Sequence, residues 1–165
     1  MSEPTTIFLV PVRDRHQQMS EFTKNMPPYL DRTLGPETWE IWFIQDVGTE
    51  NKRPFNKGAL FNIGFLELKA RFLNRWQNKV LVMHDVDIYI KPECTDSRPI
   101  EYTVPHAGVI RHPYGEIDPR KGPIMGCFTI LYASDYARVN GVPNYYGWGV
   151  EDVTFGYRCQ AVGIH

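Results

Sequence analysis

Two carboxylates end one of the most apolar stretches of this chain. In KVLVMHDVD (79–87) the apolar run is followed by Asp85 and Asp87. Ligands of open α/β sheets bind beyond the carboxyl ends of strands, and side chains two apart on an extended segment point the same way. Two convergent carboxylates suit a hard divalent cation that bridges phosphates. The alternative is a pair of solvated acids that end a strand.

Basic residues lie at two other places where a phosphate could bind. PVRDR (11–15) places Arg13 and Arg15 after a predicted strand, and a guanidinium could bind a diphosphate or a base edge there. Lys57 begins a predicted helix, where a phosphate would also meet free backbone N–H groups. Phe55 could stack on a nucleobase. Taken separately, the basic residues equally fit a solvated loop, and Phe55 could simply pack beneath that loop.

The stretch YYGWGVED (145–152) combines a large ring, glycines and acids. Trp148 stands between two glycines, and Glu151 and Asp152 follow at once. One interpretation is a tight turn that enters a helix. The other is a movable lid over a carboxylate that does chemistry.

The first half of the chain alternates predicted strands and helices. Aromatic, β-branched and apolar content predicts three strands, TIFLVPV (6–12), WEIWFIQD (39–46) and KVLVMHDVD (79–87). Helical spacing predicts a helix over residues 15–30, with a break or restart at Pro27–Pro28. A second helix begins at Lys57 and carries apolar residues at intervals of four, three and four, namely Phe61, Phe65, Leu68 and Phe72. This order predicts a parallel α/β sheet.

The second half is less regular. GCFTILY (126–132) predicts a further strand. EDVTFGYRCQAVG (151–163) predicts a helix that opens with two acids, which are favourable at its positive end, and closes at Gly163.

Composition limits the classes of function. A chain of 165 residues with 42% hydrophobic and 22% charged residues predicts one globular domain. The net charge of −1 gives no broad attraction to nucleic acid or anionic membrane. The short apolar run near the N-terminus predicts neither a signal peptide nor a membrane span, and hence a cytoplasmic location. The cysteines, Cys94, Cys127 and Cys159, form no C-x-x-C pair, which predicts reduced thiols and no structural zinc.

The order of these motifs resembles the β-1,4-galactosyltransferase family. Its members carry P-F-R-x-R, F-N-R-A-x-L-L-N-V-G-F, D-V-D and W-G-W-G-G-E-D in that order. Here the corresponding stretches are PVRDR (11–15), FNKGALFNIGF (55–65), DVD (85–87) and YGWGVED (146–152). The resemblance spans about residues 6–163. Through D-x-D and G-W-G-x-E-D the chain is also similar to polypeptide N-acetylgalactosaminyltransferases and chondroitin-type polymerases.

The resemblance implies an inverting, metal-dependent nucleotide-sugar transferase. It implies an α/β chain with a single GT-A domain over residues 1–165 and a mixed, mainly parallel central sheet flanked by helices. Residues 6–90 would be the nucleotide-binding half, and residues 100–165 the half for the donor sugar and the acceptor. The implied ion is Mn²⁺, with Mg²⁺ as the alternative. The implied substrates are UDP-Gal or UDP-GalNAc and a glycan or glycoconjugate acceptor.

The same resemblance implies a role for each matching residue. The donor would be bound by Arg13, Arg15, Phe55, Lys57, Asp85, Trp148 and Gly149, of which the last two form a mobile loop. Asp87 would ligate the metal. Glu151, Asp152 and Trp148 would meet the acceptor, with Asp152 as the catalytic base. Displacement at the anomeric carbon needs the acceptor hydroxyl deprotonated and the leaving diphosphate neutralised, which a carboxylate and a divalent ion provide.

Departures from the family pattern predict differences in specificity. Lys57 replaces an arginine, and Val150 replaces the glycine after G-W-G, which would stiffen the lid. Val153 and Thr154 replace two acids, so the acceptor would differ from N-acetylglucosamine. Ile124 aligns with a tyrosine that restricts the donor to galactose, and this smaller side chain would admit UDP-GalNAc.

The metal site leaves a choice open. The family completes it with a histidine well after E-D, and His165 is the candidate here. Fewer protein ligands would be the alternative. Two other functions compete with sugar transfer. One is a non-catalytic relative that binds a nucleotide sugar or a glycan, and the other is a phosphodiesterase or nuclease built on Asp85 and Asp87.

Overall fold

A computed structural model describes residues 3–47, 53–90, 101–104, 106–112, 125–147 and 149–165. The strands are β1 (Thr6–Val12), β2 (Trp39–Gln45), β3 (Val80–His84) and β4 (Phe128–Tyr132). The α-helices are α1 (His16–Thr33), α2 (Lys57–Phe72), α3 (Ala133–Arg138) and α4 (Glu151–Ala161), and a 3-10 helix, Leu73–Asn78, follows α2.

The strands form one mixed sheet in the order β2-β1-β3-β4. β1 is parallel to both β2 and β3, and Phe8 lies opposite Ile41 on one side and Val82 on the other. β4 is antiparallel to β3. The predicted fold class, an α/β domain with a mixed and mainly parallel sheet, is confirmed.

Strand β1 lies at the centre because both of its faces are apolar. Ile7 and Leu9 belong to a core cluster that includes residues of α2 and α4. Phe8 and Val10 belong to a second cluster, which includes residues of α1. Alternate side chains of a strand point to opposite faces, so helices cover both faces of the sheet.

The predicted break in the first helix is wrong. Helix α1 continues through Pro27 and Pro28. Each proline removes one backbone hydrogen bond to the residue four positions earlier. Here those residues are Thr23 and Lys24, which are exposed, so water can serve their carbonyl groups. The buried face of α1 lies on the other side of the helix, and its packing holds the helix together.

The third strand is shorter than its apolar sequence predicts. β3 ends at His84, and the Ile88 N–H donates to the Asp85 carbonyl at 3.3 Å, which makes residues 85–88 a turn. The expectation that Asp85 and Asp87 lie on one extended face is therefore wrong. The Asp85 N–H donates to the Cys127 carbonyl at 2.8 Å, which ties the start of this turn to the segment before β4.

His84 is fully buried beneath that turn. Its ring stacks on Phe128 with the centroids 4.9 Å apart, and its Nδ1 lies 2.8 Å from the Asp85 carbonyl oxygen. Burial lowers the pKa of His84 to about 4, so the ring is neutral at physiological pH and Nδ1–H donates to that carbonyl.

Within the described residues, no helix is both long enough and apolar enough to span a membrane.

Candidate active site

Three charged side chains from separate parts of the chain meet at one end of the sheet. Lys57 begins α2, Asp85 follows β3, and Asp152 lies in the first turn of α4. The Lys57 Nζ atom lies 2.7 Å from Asp85 Oδ1 and 3.8 Å from Asp152 Oδ1. The fold thus joins three residues that were predicted to act on the donor and the acceptor.

The environment shifts the pKa of each of these groups. Burial lowers the pKa of Lys57, but the nearby carboxylates, above all Asp85, outweigh it, so the net shift is upward and the amine is protonated. Burial raises the pKa of Asp85 despite the attraction of Lys57. Burial also raises the pKa of Asp152 to about 6, with Lys57 opposing the rise and Glu151 and Asp85 adding to it.

A small cavity beside Lys57 and Asp152 accounts for part of this burial. Its walls are largely apolar or sulfur-bearing and include Phe61, Met83 and Cys127. Walls of this kind solvate an ionised carboxylate poorly, which is the physical cause of the raised pKa of Asp152. Asp152 is consequently ionised at pH 7 and more basic than an exposed aspartate.

Arg13 is held by groups of the protein itself. Its guanidinium donates to the Asp46 carboxylate and to the carbonyl oxygens of Arg53 at 2.7 Å and Pro54 at 3.3 Å. The guanidinium carbon lies 5.3 Å from the centroid of the Phe55 ring. Arg13 therefore joins the end of β1 to the segment that leads into α2.

Arg15 differs from Arg13 because its side chain is exposed. It immediately precedes α1 and makes no side-chain capping hydrogen bond there. Its role at the donor remains a prediction.

Glu151 closes the loop that precedes α4. Its buried carboxylate accepts the N–H groups of Gly149 and Val150, both at 3.0 Å through Oε2. These bonds satisfy backbone donors before the first turn of the helix. Gly147 and Gly149 both have a φ of +114°, and no heavy atom lies within 4 Å of their ideal Cβ positions. The Cβ positions of both glycines therefore face open space, whereas the Glu151 carboxylate binds the backbone of the loop.

Two predicted site residues, Trp148 and Ile124, lie outside the described residues. Contact of Glu151 and Trp148 with the acceptor, the mobility of the loop and the effect of Ile124 on the donor remain predictions. Val150 does lie in the described part, and the residue is 57% exposed.

The two predicted metal ligands, Asp87 and His165, both lie in the described part of the chain. Asp87 is exposed on the turn after β3. The His165 N–H donates to the Gly108 carbonyl at 3.1 Å, and the His165 carbonyl accepts from Ile110 at 3.0 Å, so its backbone is held in place. The described ranges contain no group of three or more His, Cys, Asp or Glu residues that could hold a metal. Carboxylate oxygen suits Mn²⁺ or Mg²⁺, and Asp87 fits as one ligand of an ion that also binds phosphates.

Three residues of the FNKGALFN stretch have roles that their types did not suggest in the sequence. Asn56 binds Asn144, and Asn62 binds the backbone of Val142 through both of its amide atoms. Gly58 lies directly against Pro143. These contacts hold the segment before α4 on the first two turns of α2. The signal that could have found them in the sequence is two asparagines and a glycine at the start of a largely apolar helix.

We expect Gly58→Ala to destabilise the protein, although the same change at a free helical position stabilises by about 1 kcal/mol. A Cβ atom at position 58 would lie 2.0 Å from the Pro143 carbonyl oxygen, which is backbone and cannot rotate away. We expect a loss of about 1–3 kcal/mol, the usual cost of overpacking. Urea denaturation measures it, and an increase in stability would contradict the contact.

A structural comparison gives the fold. The fold is similar to that of a Drosophila β1,4-galactosyltransferase 7 mutant in complex with manganese, UDP-Gal and xylobiose, with a TM-score of 0.75 and 24% identity. The similarity covers 98% of this chain and 63% of that chain. The domain is therefore a GT-A fold, the α/β fold of nucleotide-diphospho-sugar transferases.

Sequence comparison then gives the family. Residues 1–95 match the N-terminal region of glycosyl transferase group 7, and residues 114–165 match the N-terminal domain of galactosyltransferase. The chain belongs to this family, that of the β-1,4-galactosyltransferases.

Individual relatives agree with this assignment. The chain is 30% identical over 155 residues to a Caenorhabditis elegans xylosylprotein 4-beta-galactosyltransferase. This match covers 91% of this chain and 48% of the relative. It is also 31% identical over 156 residues to zebrafish β-1,4-galactosyltransferase 5. This second match covers 94% of this chain and 38% of the relative. The chain thus spans less than half the length of these two relatives.

Proposed function

We propose that this chain is an inverting, metal-dependent galactosyltransferase that moves galactose from UDP-Gal to a hydroxyl group of a glycan. The observation that carries the proposal is Lys57, which lies between Asp85 and Asp152 at distances of 2.7 Å and 3.8 Å. One cation thereby joins the predicted donor side and the predicted acceptor side of the site. The relatives named as galactosyltransferases and the neighbour bound to UDP-Gal support this substrate.

The donor would bind at the entrance of α2. The Lys57 ammonium lies at the positive end of this helix, where backbone N–H groups without helical partners also face the site. A diphosphate there would meet both. Phe55 is half-buried two residues before Lys57 and offers a ring for the uracil base. Arg13 holds the backbone of this segment in place.

Asp152 would act as the general base. Its pKa of about 6 leaves it ionised at pH 7 and basic enough to take a proton as the acceptor oxygen attacks. The acceptor oxygen forms a bond to the anomeric carbon and gives its proton to Asp152. The bond from that carbon to the diphosphate breaks, and UDP leaves with the electron pair. Attack opposite the leaving group inverts the configuration at this carbon.

A bound Mn²⁺, or Mg²⁺ as the alternative, would neutralise the leaving diphosphate, with Asp87 as a ligand and His165 as a second candidate. Lys57 would add a second positive charge beside the diphosphate. Use of UDP-GalNAc is supported by Ile124 in the sequence alone, and the cytoplasmic location likewise remains a prediction from sequence.

An activity assay with separate binding measurements tests the proposal. The chain is incubated with UDP-Gal, UDP-GalNAc or UDP-Glc, in Mn²⁺, in Mg²⁺ or in EDTA, with xylobiose and with glycans that end in N-acetylglucosamine. We expect metal-dependent transfer with UDP-Gal. UDP binding by calorimetry without transfer or hydrolysis would favour the non-catalytic alternative. Absence of binding, transfer and hydrolysis together would refute both.

A further inference from the structure

The side chain of Asn56 contacts two separate parts of the chain. Its Oδ1 accepts the N–H of Ala59 at 2.9 Å, which caps α2. Its Nδ2 donates to the Asn144 Oδ1 atom at 2.5 Å, across 88 positions of sequence. Asn56 is only 5% exposed, so water competes little with either bond. One amide thus sets both the start of α2 and the position of Asn144.

Asn144 lies between a segment held by a buried side chain and one held by fewer contacts, of which one is the Gly147 N–H donating to the Phe55 carbonyl at 3.0 Å. Before it, the Asn62 amide donates to the Val142 carbonyl at 2.9 Å and accepts the Val142 N–H at 3.1 Å. After it come Gly147 and Gly149, whose Cβ positions have no heavy-atom neighbour within 4 Å. Among the described residues that precede these glycines, Asn144 is the last whose side chain is hydrogen-bonded to a buried side chain.

We propose that Asn56 and Asn144 form a positioning pair that sets the placement of Asp152 relative to Lys57. Asn56 directly precedes Lys57, and Asn144 begins the segment that leads to Asp152. Their hydrogen bond therefore joins the start of α2, next to the cation, to the start of the segment that ends at the carboxylate. Neither asparagine contacts a reacting atom. The consequence for catalysis rests on the proposed function, whereas the consequence for the segment does not.

The symmetry of the amide and carboxylate groups provides a matched set of variants. In Asn56→Asp, the carboxylate still accepts from Ala59, and the Asn144 amide can rotate to donate to it. In Asn144→Asp, the new carboxylate still accepts from Asn56. In the double variant, the carboxylates at positions 56 and 144 face each other with no donor between them, so only this variant loses the bond. The single variants control for each added negative charge taken alone, and the double variant adds the repulsion between the two carboxylates to the loss of the bond.

Chymotrypsin cleavage after Tyr145 and Tyr146 tests the pair without any ligand. We expect the single variants to stay within about twofold of the parent chain, and the double variant to be cut at these sites at least about tenfold faster, because only the double variant leaves a buried polar group without its partner. Cleavage spread over the whole chain of the double variant, or a rate equal to the product of the two single effects, would overturn the proposal.

Kinetics of the same variants test the catalytic consequence. We expect the double variant to lose at least about tenfold in kcat for transfer, beyond the product of the single effects, with a smaller change in the KM for UDP-Gal. Equal losses in all three variants would overturn the positioning role. An inactive parent chain would refute the proposed function, and the cleavage test would still decide whether the pair holds the segment.

Discussion

Replacement of Asp152 by asparagine is expected to lower the rate of galactosyl transfer by about 10²–10⁴-fold, the contribution that a general base usually makes. Asparagine keeps the size of the side chain but cannot accept the proton of the acceptor hydroxyl. Because UDP would contact Lys57 and Phe55 rather than Asp152, its affinity by calorimetry should stay within a few fold of the parent value. Unchanged turnover would exclude Asp152 as the base.

The same variant should be more stable than the parent chain at neutral pH. The folded pKa of Asp152 is raised from 3.8 to about 6, so the ionised carboxylate is disfavoured in the folded state. This penalty is absent below about pH 4, grows as the pH rises from 3.8 to about 6, and reaches at most about 3 kcal/mol above that. Partial exposure of Asp152 reduces it, since its side chain is 26% accessible.

Thermal unfolding at two pH values measures this effect. We expect Asp152→Asn to have a higher Tm than the parent chain at pH 7.5 and an equal Tm near pH 4. Glu67→Gln, which removes an exposed carboxylate from the outer face of α2, is the control and should change neither value. A lower Tm at pH 7.5 would indicate that the carboxylate stabilises the fold and that its pKa is not raised.

Parent-chain activity should also follow the Asp152 titration. A base with a pKa of about 6 is protonated below that value, so kcat/KM should be lost as the pH falls from 7 to 5.

Asn62→Ala is expected to destabilise the protein by about 2–4 kcal/mol, because it removes the partners of several buried groups at once. Asn62 Oδ1 accepts from the Tyr136 hydroxyl at 2.7 Å and from the Val142 N–H at 3.1 Å, and its Nδ2 donates to the Val142 carbonyl. Tyr136 and Val142 are both buried. Burial raises the pKa of Tyr136, so its hydroxyl is protonated and remains a donor.

Urea denaturation of matched variants separates these contributions. Tyr136→Phe removes only the hydroxyl and should cost about 1 kcal/mol, which is the net value of one such bond. Asn74→Ala, an exposed change on the 3-10 helix, should cost less than about 0.5 kcal/mol. If Asn62→Ala cost no more than Asn74→Ala, the attachment of residues 142–144 to α2 would not depend on Asn62.

Much of the local architecture of this protein could be predicted from the sequence. The strands β1 and β2 and the helices α2 and α4 lie within a residue or two of their expected positions. Their apolar periodicity, turn residues and first-turn acids act over a few positions, so one short stretch contains the whole cause. The placement of Lys57 at a helix entrance and of Asp85 after a strand followed for the same reason.

Where the tertiary structure overrode these patterns, distant contacts outweighed local preference. Pro27 and Pro28 remain inside α1 because one face of that helix is packed and the other reaches water. The turn at Asp85 forms where the buried His84 ring and the Cys127 carbonyl both bind its backbone. For the packed face of α1 and for the Cys127 carbonyl, the local sequence contains only one side of the contact.

The site itself depended most on the tertiary structure. The sequence determined that a lysine, two aspartates and a glycine-flanked tryptophan were present in a family order. Only the fold placed Lys57 within reach of Asp85 and Asp152, and only the fold showed that Asn56 and Asn62 hold the segment leading to Asp152. These partners come from separate elements, and such elements meet through the packing of their apolar faces. The chemistry of the site is thus encoded in residue types, whereas its geometry results from the way α2, α4 and the sheet pack together.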